Sequence, residues 1–220
     1  MKKQPVKAVF FDVDGTLISH RSGEMPASAV KTLWALHRKG ILLFVCTGRH
    51  RSEMPGQKGV LDLPWDGFIT LNGQYCYDGQ APYHRQPIGQ ADIARLIARA
   101  EEMDVPCKFV EEDRMYVSRH TDVVRQVQAA IHTPLPPVGD LRRGLSHSVY
   151  LVVTYCTPEQ QRQLLEPLEH VRSTNWNPRA FDVIHSEGSK ANGVRMTCRR
   201  YGLSPDEVMG FGDGKTTPIC

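Results

Sequence analysis

Ala8-Val9-Phe10-Phe11 is an uninterrupted apolar run that ends in Asp12-Val13-Asp14-Gly15-Thr16. A short apolar run bounded by a turn signal predicts a strand buried on both faces, as in parallel sheets. Two carboxylates where such a strand ends are costly unless something offsets their charge. A hard cation held through oxygens would do so, and magnesium favours a few carboxylates together with waters and phosphate oxygens. Gly15 lets the backbone turn sharply. The alternative is a solvated loop with helix-capping aspartates. The spacing and the preceding strand disfavour it.

The next segment predicts a helix from Met25 to Lys39, with Pro26 in its first turn, Val30, Leu33, Trp34 and His37 on one face, and Gly40 as its stop. Ile41 to Cys46 reads as a second buried strand, ending in Thr47-Gly48-Arg49. Strand, helix and strand with short joints make a right-handed parallel crossover, which sets Thr47 beside Asp12 at the carboxyl edge of the sheet. Ligands of open α/β sheets bind at that edge. A hydroxyl and backbone N–H groups there suit an anion, whereas a plain turn is the bland reading of the triplet. Arg49 is either a substrate contact or a solvated arginine. Gly67 to Thr70 predicts a third strand, and Asn72-Gly73 is a hairpin signal before a return strand with Tyr75 and Tyr77.

From about His84 the character changes. Ile93, Leu96, Ile97 and Ala100 mark a helix face, and Lys108–Glu111 and Met115–Arg119 read as strands around an Asp113-Arg114 turn. Val124, Val127 and Ile131 mark another helix. Val149 to Tyr155 is a strand, and Thr157-Pro158-Glu159-Gln160 is a capping box. Short strands follow near Val171–Thr174 and Ala180–His185. These passes predict an α/β domain over 84–185, inserted into a Rossmann-like parallel-sheet core formed by 1–83 and 186–220. The core resumes with a helix capped by Ser189. It carries Lys190 in its first turn, where a cation opposes the helix dipole unless an anion shares the site. Glu207 to Phe211 predicts a further core strand, ending in Gly212-Asp213-Gly214.

Asp12-Val13-Asp14-Gly15-Thr16 resembles the first motif of the haloacid dehalogenase-like phosphatase superfamily. Thr47-Gly48-Arg49, Lys190 and Gly212-Asp213-Gly214 follow in the order of its second, third and fourth motifs. The inserted domain resembles the larger, class IIB cap of the Cof-type sugar-phosphatase branch. The resemblance implies a phosphoric monoester hydrolase acting on a small phosphorylated metabolite such as a sugar phosphate, and the cysteine pattern, with no signal-like or membrane-spanning run, is read as cytoplasmic. Asp12 would be the nucleophile and Asp14 the acid and then the base. Thr47, with the amides after it at Gly48 and Arg49, would hold the phosphoryl oxygens, and Lys190 would neutralise them. Mg2+ would bind Asp12, Asp213 and the backbone carbonyl of Asp14. In the sugar-phosphatase branch a turn like Asn72-Gly73 sits near the active site, so Asn72 is a substrate-binding candidate as well as a turn residue. Asp14 argues against a phosphorylated pump, in which this position resembles a threonine.

The fourth motif departs from the family at Thr216 and Thr217, where Asn and Asp are expected, and the sequence stops at Cys220. The expectation is a core lacking its C-terminal strand and helices, truncated at the fourth motif. An inactive phosphate-binding or regulatory protein on the same scaffold is the alternative function. Gly214-Lys215-Thr216 imitates a phosphate-binding P-loop, but its first glycine would fall on Met209. A net charge of +3 does not by itself imply nucleic acid. No apolar run is long enough for a secretory signal or a membrane span. The 6 cysteines include no C-x-x-C pair and the 9 histidines no metal-ligand spacing. A monomer or weak dimer with reduced thiols is expected.

Overall fold

The structure is a computed structural model that describes residues 5–19, 21–56 and 59–213. In chain order, β1 (Ala8–Phe11), α1 (Ala27–Arg38), β2 (Leu42–Cys46), β3 (Gly67–Thr70), β4 (Tyr75–Asp78) and β5 (Pro82–Arg85) come first. They are followed by α2 (Gln90–Glu102), β6 (Cys107–Val110), β7 (Met115–Val117), α3 (Asp122–Ala130), β8 (Leu151–Thr154) and α4 (Pro158–Leu165). Last come β9 (Val171–Asn177), β10 (Ala180–His185), α5 (Lys190–Tyr201) and β11 (Val208–Phe211). The described residues divide into two compact units. One runs to Arg85 and resumes at Gly188, and the other spans Gln86–Glu187.

The first unit is a Rossmann-like α/β core. Its sheet has the order β11-β1-β2-β3-β4-β5. Strands β11, β1, β2 and β3 run parallel, β4 runs antiparallel to β3, and β5 pairs antiparallel with β4 and so runs in the direction of β3. All four residues of β1 are buried, as its apolar run requires. Phe10 pairs with Phe44 of β2, and their rings stack at 4.9 Å. The ladder continues past the strand ends: the Asp12 N–H donates to Phe211 O at 2.9 Å, and the Thr47 N–H to Ile69 O at 2.8 Å. These bonds set the residues that follow β11, β1 and β2 side by side along one edge of the sheet.

Helix α1 departs from its expected face. Leu33 is 2% exposed, whereas Trp34 is 40% exposed and sits edge-on to His37. Val30, Leu33 and Leu36 pack with Val9, Phe11 and Leu43, so the buried stripe runs through 30, 33 and 36. Trp34 lies about 100° round the helix from Leu33 and faces outward. Pro26 is the residue before the first turn rather than inside it, and Gly40 ends the helix at φ 76°.

Two boundaries also shift. The sequence placed the inserted domain from residue 84, but His84 and Arg85 pair with Cys76 and Tyr75 in β4, so β5 belongs to the core sheet. Glu207 was read as strand. It instead closes a short 3-10 turn, accepting the Ser204 N–H at 3.0 Å and pairing with Lys7 at 2.6 Å, and β11 begins at Val208.

The second unit is an antiparallel sheet in the order β7-β6-β8-β10-β9. Ile93, Leu96, Ile97 and Ala100 of α2 pack against Cys107, Phe109, Val152 and Val183. Asp92, 2% exposed, accepts the N–H groups of Glu169 and His170, each at 3.0 Å. Thr157 and Gln160 form the capping box of α4. Among the described residues no helix is long and apolar enough to cross a membrane.

The α1 stripe is directly testable. Leu33→Ala should lower stability by about 2–5 kcal/mol through the cavity it leaves, while Trp34→Ala should cost about 1 kcal/mol or less. Urea melts of the two variants measure the contrast, and equal losses would contradict the assigned stripe.

Candidate active site

Asp12 emerges from β1 with its carboxylate fixed on both oxygens. Oδ1 accepts the Val13 N–H at 2.8 Å, and Oδ2 accepts the Lys190 ammonium at 2.6 Å. Both side chains are buried, at 6% exposure for Lys190 and 8% for Asp12. Lys190 is the first residue of α5, and the Ser189 hydroxyl caps that helix by accepting the Asn192 N–H at 3.0 Å. A helix N-terminus disfavours a cation. The lysine is therefore held there by its carboxylate, and the pair links two segments 178 residues apart.

Two peptide groups near the pair have their carbonyls committed elsewhere. Val13 O accepts from Ile18 at 2.8 Å, and Thr47 O accepts from the Asn72 N–H at 3.2 Å. A trans peptide points its C=O and the next N–H in opposite directions. The Asp14 and Gly48 N–H groups therefore point away from those partners, and neither meets an acceptor among the described residues. The Thr47 hydroxyl accepts the Arg49 N–H at 3.1 Å, which leaves its own O–H as a donor. With the Lys190 ammonium these are the groups an oxyanion would use at this edge.

Arg49 is not simply solvated: it makes an ion pair that neither sequence reading names. Its Nε and Nη2 donate to the two carboxylate oxygens of Asp14 at 2.8 and 2.9 Å. Burial works against the guanidinium's charge, but the hydrogen bond and field of Asp14 outweigh it and raise the arginine's pKa. Nothing in the sequence pattern pairs these two residues, which lie 35 positions apart. Asn72 is a turn residue beside Gly48. It sits in the turn at φ 56°, and its Oδ1 would stand 2.9 Å from a Cβ built on Gly48.

Asp213 lies two residues beyond β11 and is exposed. Among the described residues no group of three or more His, Cys, Asp or Glu side chains is close enough to hold a metal. A site on Asp12, Asp213 and the Asp14 carbonyl would need only two carboxylates. Thr216, Thr217 and the Gly214-Lys215-Thr216 imitation of a P-loop lie outside the described residues. Cys46, adjacent to Thr47, is a buried free thiol at the end of β2, where the sequence places it. Burial above all pushes its pKa up to about 12, so it stays protonated and is unsuited to nucleophilic chemistry.

This arrangement has known counterparts. A family model described as haloacid dehalogenase-like hydrolase matches residues 9–216. The chain belongs to the haloacid dehalogenase-like hydrolases. Among solved structures, this hydrolase superposes on the phosphatase BT1666 of Bacteroides thetaiotaomicron with a TM-score of 0.87 and 27% identity, covering 98% of this chain and 80% of that one. It superposes on BT4131, described as a subclass IIB sugar phosphatase, with a TM-score of 0.82 and 30% identity, covering 96% and 82%. It is also 30% identical over 96% of its length to a Streptococcus pyogenes (serotype M6) protein named, provisionally, a bifunctional phosphatase/peptidyl-prolyl cis-trans isomerase. It spans 45% of that relative's length. These findings agree with the Cof-type, class IIB resemblance read from the motifs.

The Lys190–Asp12 pair generates a stability prediction for this hydrolase. Removing one partner leaves an uncompensated buried charge, so Lys190→Met should cost about 3–5 kcal/mol. Adding Asp12→Asn to that variant should return part of the loss. Urea denaturation of the single and double variants reads this, and additive losses would show that the two groups do not interact.

Proposed function

We propose that this chain is a magnesium-dependent phosphatase of small phosphate monoesters that works through an aspartyl phosphate on Asp12. The observation that carries the proposal is the buried Asp12 carboxylate, bound to Lys190 at a strand end with the N–H groups of Asp14 and Gly48 left over. One negative group is thus neutralised and fixed, and donors remain for a second.

In this reading the phosphoryl group lies against Lys190, the Thr47 hydroxyl and the two N–H groups. A carboxylate oxygen of Asp12 attacks phosphorus while the bond to the ester oxygen breaks, and the departing oxygen takes a proton from Asp14. Water then attacks the aspartyl phosphate, giving its proton to Asp14. Inorganic phosphate leaves and the Asp12 carboxylate is regenerated. Splitting the displacement in two requires one carboxyl to act as nucleophile and the other as proton carrier, which matches their different surroundings. Asp12 is buried, whereas the Asp14 side chain is 41% exposed. To exchange protons Asp14 must first give up Arg49, whose guanidinium is then available to an anionic oxygen of the substrate.

The oxygen donors suit a hard cation. Asp12 is tied through its N–H to the end of β11, two residues before Asp213, so both carboxylates leave neighbouring strand ends. Asp12, Asp213 and the Asp14 carbonyl would hold magnesium, which when bound stabilises charge on the phosphoryl oxygens. The unit spanning Gln86–Glu187 is assigned the choice among substrates, because the core residues named above address only the phosphoryl end. The likeness to a named sugar phosphatase supports a sugar phosphate. A monomer or weak dimer in the cytoplasm completes the proposal.

The test is turnover of a generic phosphate ester with magnesium by the parent and by Asp12→Asn. The parent should be active, and the variant should lose at least about 1,000-fold, roughly 4 kcal/mol in the barrier. Undiminished turnover by Asp12→Asn would refute the mechanism. A parent that binds inorganic phosphate without hydrolysing any ester would place the chain with the inactive phosphate-binding proteins.

A further inference from the structure

The turn between β3 and β4 carries an unusual concentration of strain and close contact. Leu71, Asn72 and Gly73 all hold positive φ, at 52°, 56° and 88°. Asparagine and glycine tolerate this region, but a buried leucine there costs about 1–3 kcal/mol and persists only when its surroundings impose it. The surroundings do so on two sides. On one side, the Leu71 and Asn72 N–H groups donate to the carbonyls of Arg49 and Thr47 at 3.3 and 3.2 Å. The Asn72 carboxamide also lies against Gly48. On the other side, a Cβ on Gly73 would stand 2.0 Å from Ser189 O and 3.1 Å from Lys190 N. A Cβ on Gly188 would stand 1.5 Å from the Gln74 carboxamide nitrogen. One turn up α5, a Cβ on Gly193 would stand 2.4 Å from Ile69 and 3.1 Å from the Gly73 Cα.

Gln74 strengthens the case. It is fully buried, and neither its oxygen nor its nitrogen has a partner among the described residues. An unsatisfied buried amide costs free energy that an apolar side chain of the same shape would avoid. The turn therefore combines a strained φ at Leu71 with an unpaired amide at Gln74, and both lie between the Thr47–Arg49 segment and the start of α5.

We propose that Asn72-Gly73-Gln74 is a positioning wedge that fixes the Gly48 amide and the Lys190 end of α5 at a set spacing. The proposal deepens the phosphatase reading and rests on it. The Thr47–Arg49 segment follows β2 in the first half of the core, whereas α5 begins where the chain returns from Glu187 to Gly188. Nothing in the chain's connectivity keeps these two segments in step. The wedge does, because it is hydrogen-bonded to one and in steric contact with the other. Phosphoryl transfer demands such registration, since a misplacement of about 1 Å can cost about 100-fold in rate. These residues are positioning residues, acting through Gly48 and Lys190.

The test compares the parent with Asn72→Gly and Gly73→Ala in thermal melts, in kcat and KM for p-nitrophenyl phosphate with magnesium, and in calorimetric titration with inorganic phosphate. Glycine accepts positive φ, so Asn72→Gly should melt no lower than the parent while its kcat falls about 100-fold. Its phosphate affinity should fall at least tenfold. Gly73→Ala should show the same losses, through displacement of Ser189. A merely structural turn would lower the melting temperature and leave kcat per folded molecule unchanged. Parental kcat and phosphate affinity in Asn72→Gly would overturn the proposal, even if Gly73→Ala failed to fold. If the parent hydrolyses no ester but binds phosphate, the phosphatase reading fails and the affinities alone decide the wedge. A parent that does neither overturns both.

Discussion

The buried ion pair between Lys190 and Asp12 is the constraint on which the rest of this core depends. Neither group is stable at that depth alone, because burial of an unpaired charge is expensive. Each needs the other at 2.6 Å, and their positions in the chain are far apart. The strand must therefore end at Asp12, the helix must begin at Lys190, and the sheet must bring both to one edge. The parallel order β11-β1-β2-β3 does this by aligning every carboxyl end on the same side. A pair of this kind adds little net stability over an apolar substitute. Its value lies in fixing one arrangement of charge.

The strand β1 and its terminal carboxylates were legible because an apolar run ending in acids leaves few physical options. The N-cap of α5 and the capping box of α4 were legible for the same local reason: a hydroxyl meets an N–H three residues away. What could not be read were the relations between distant segments. The Arg49–Asp14 fork depends on how close two loops come, and no spacing in the chain encodes it. Trp34 misled because the helix face was judged by residue type, whereas its direction is set by the packing of Leu33 and Leu36 against β1 and β2. Asn72-Gly73 signalled a hairpin, and β3 and β4 form one; what the signal did not reveal is that its four-residue turn answers to Thr47 and Ser189 as much as to its own strands. Nor does any local pattern reveal that β5 stays with the core sheet, since strand membership is a matter of partners.

The two aspartates also show how one motif can produce two kinds of carboxylate. Asp12 is closed in by an ammonium and a backbone N–H, so its geometry is fixed before any ligand arrives. Asp14, two residues on, points to a half-open place and is held by an arginine whose own segment is part of the same edge. The mechanism proposed above asks for this contrast, since a group that exchanges protons has to be reachable and one that forms a bond has to be aimed. The turn that follows β1 gives the two carboxylates these different surroundings within two residues.

Cys46 has a practical consequence. Its thiol is fully buried, is kept protonated, and adjoins the threonine at the centre of the site. A thiol-modifying reagent can reach it only when β2 separates from its neighbours, so its labelling rate measures how often this edge of the sheet breathes. The core thus contains a native clock for local opening, placed one residue from the chemistry it would report on.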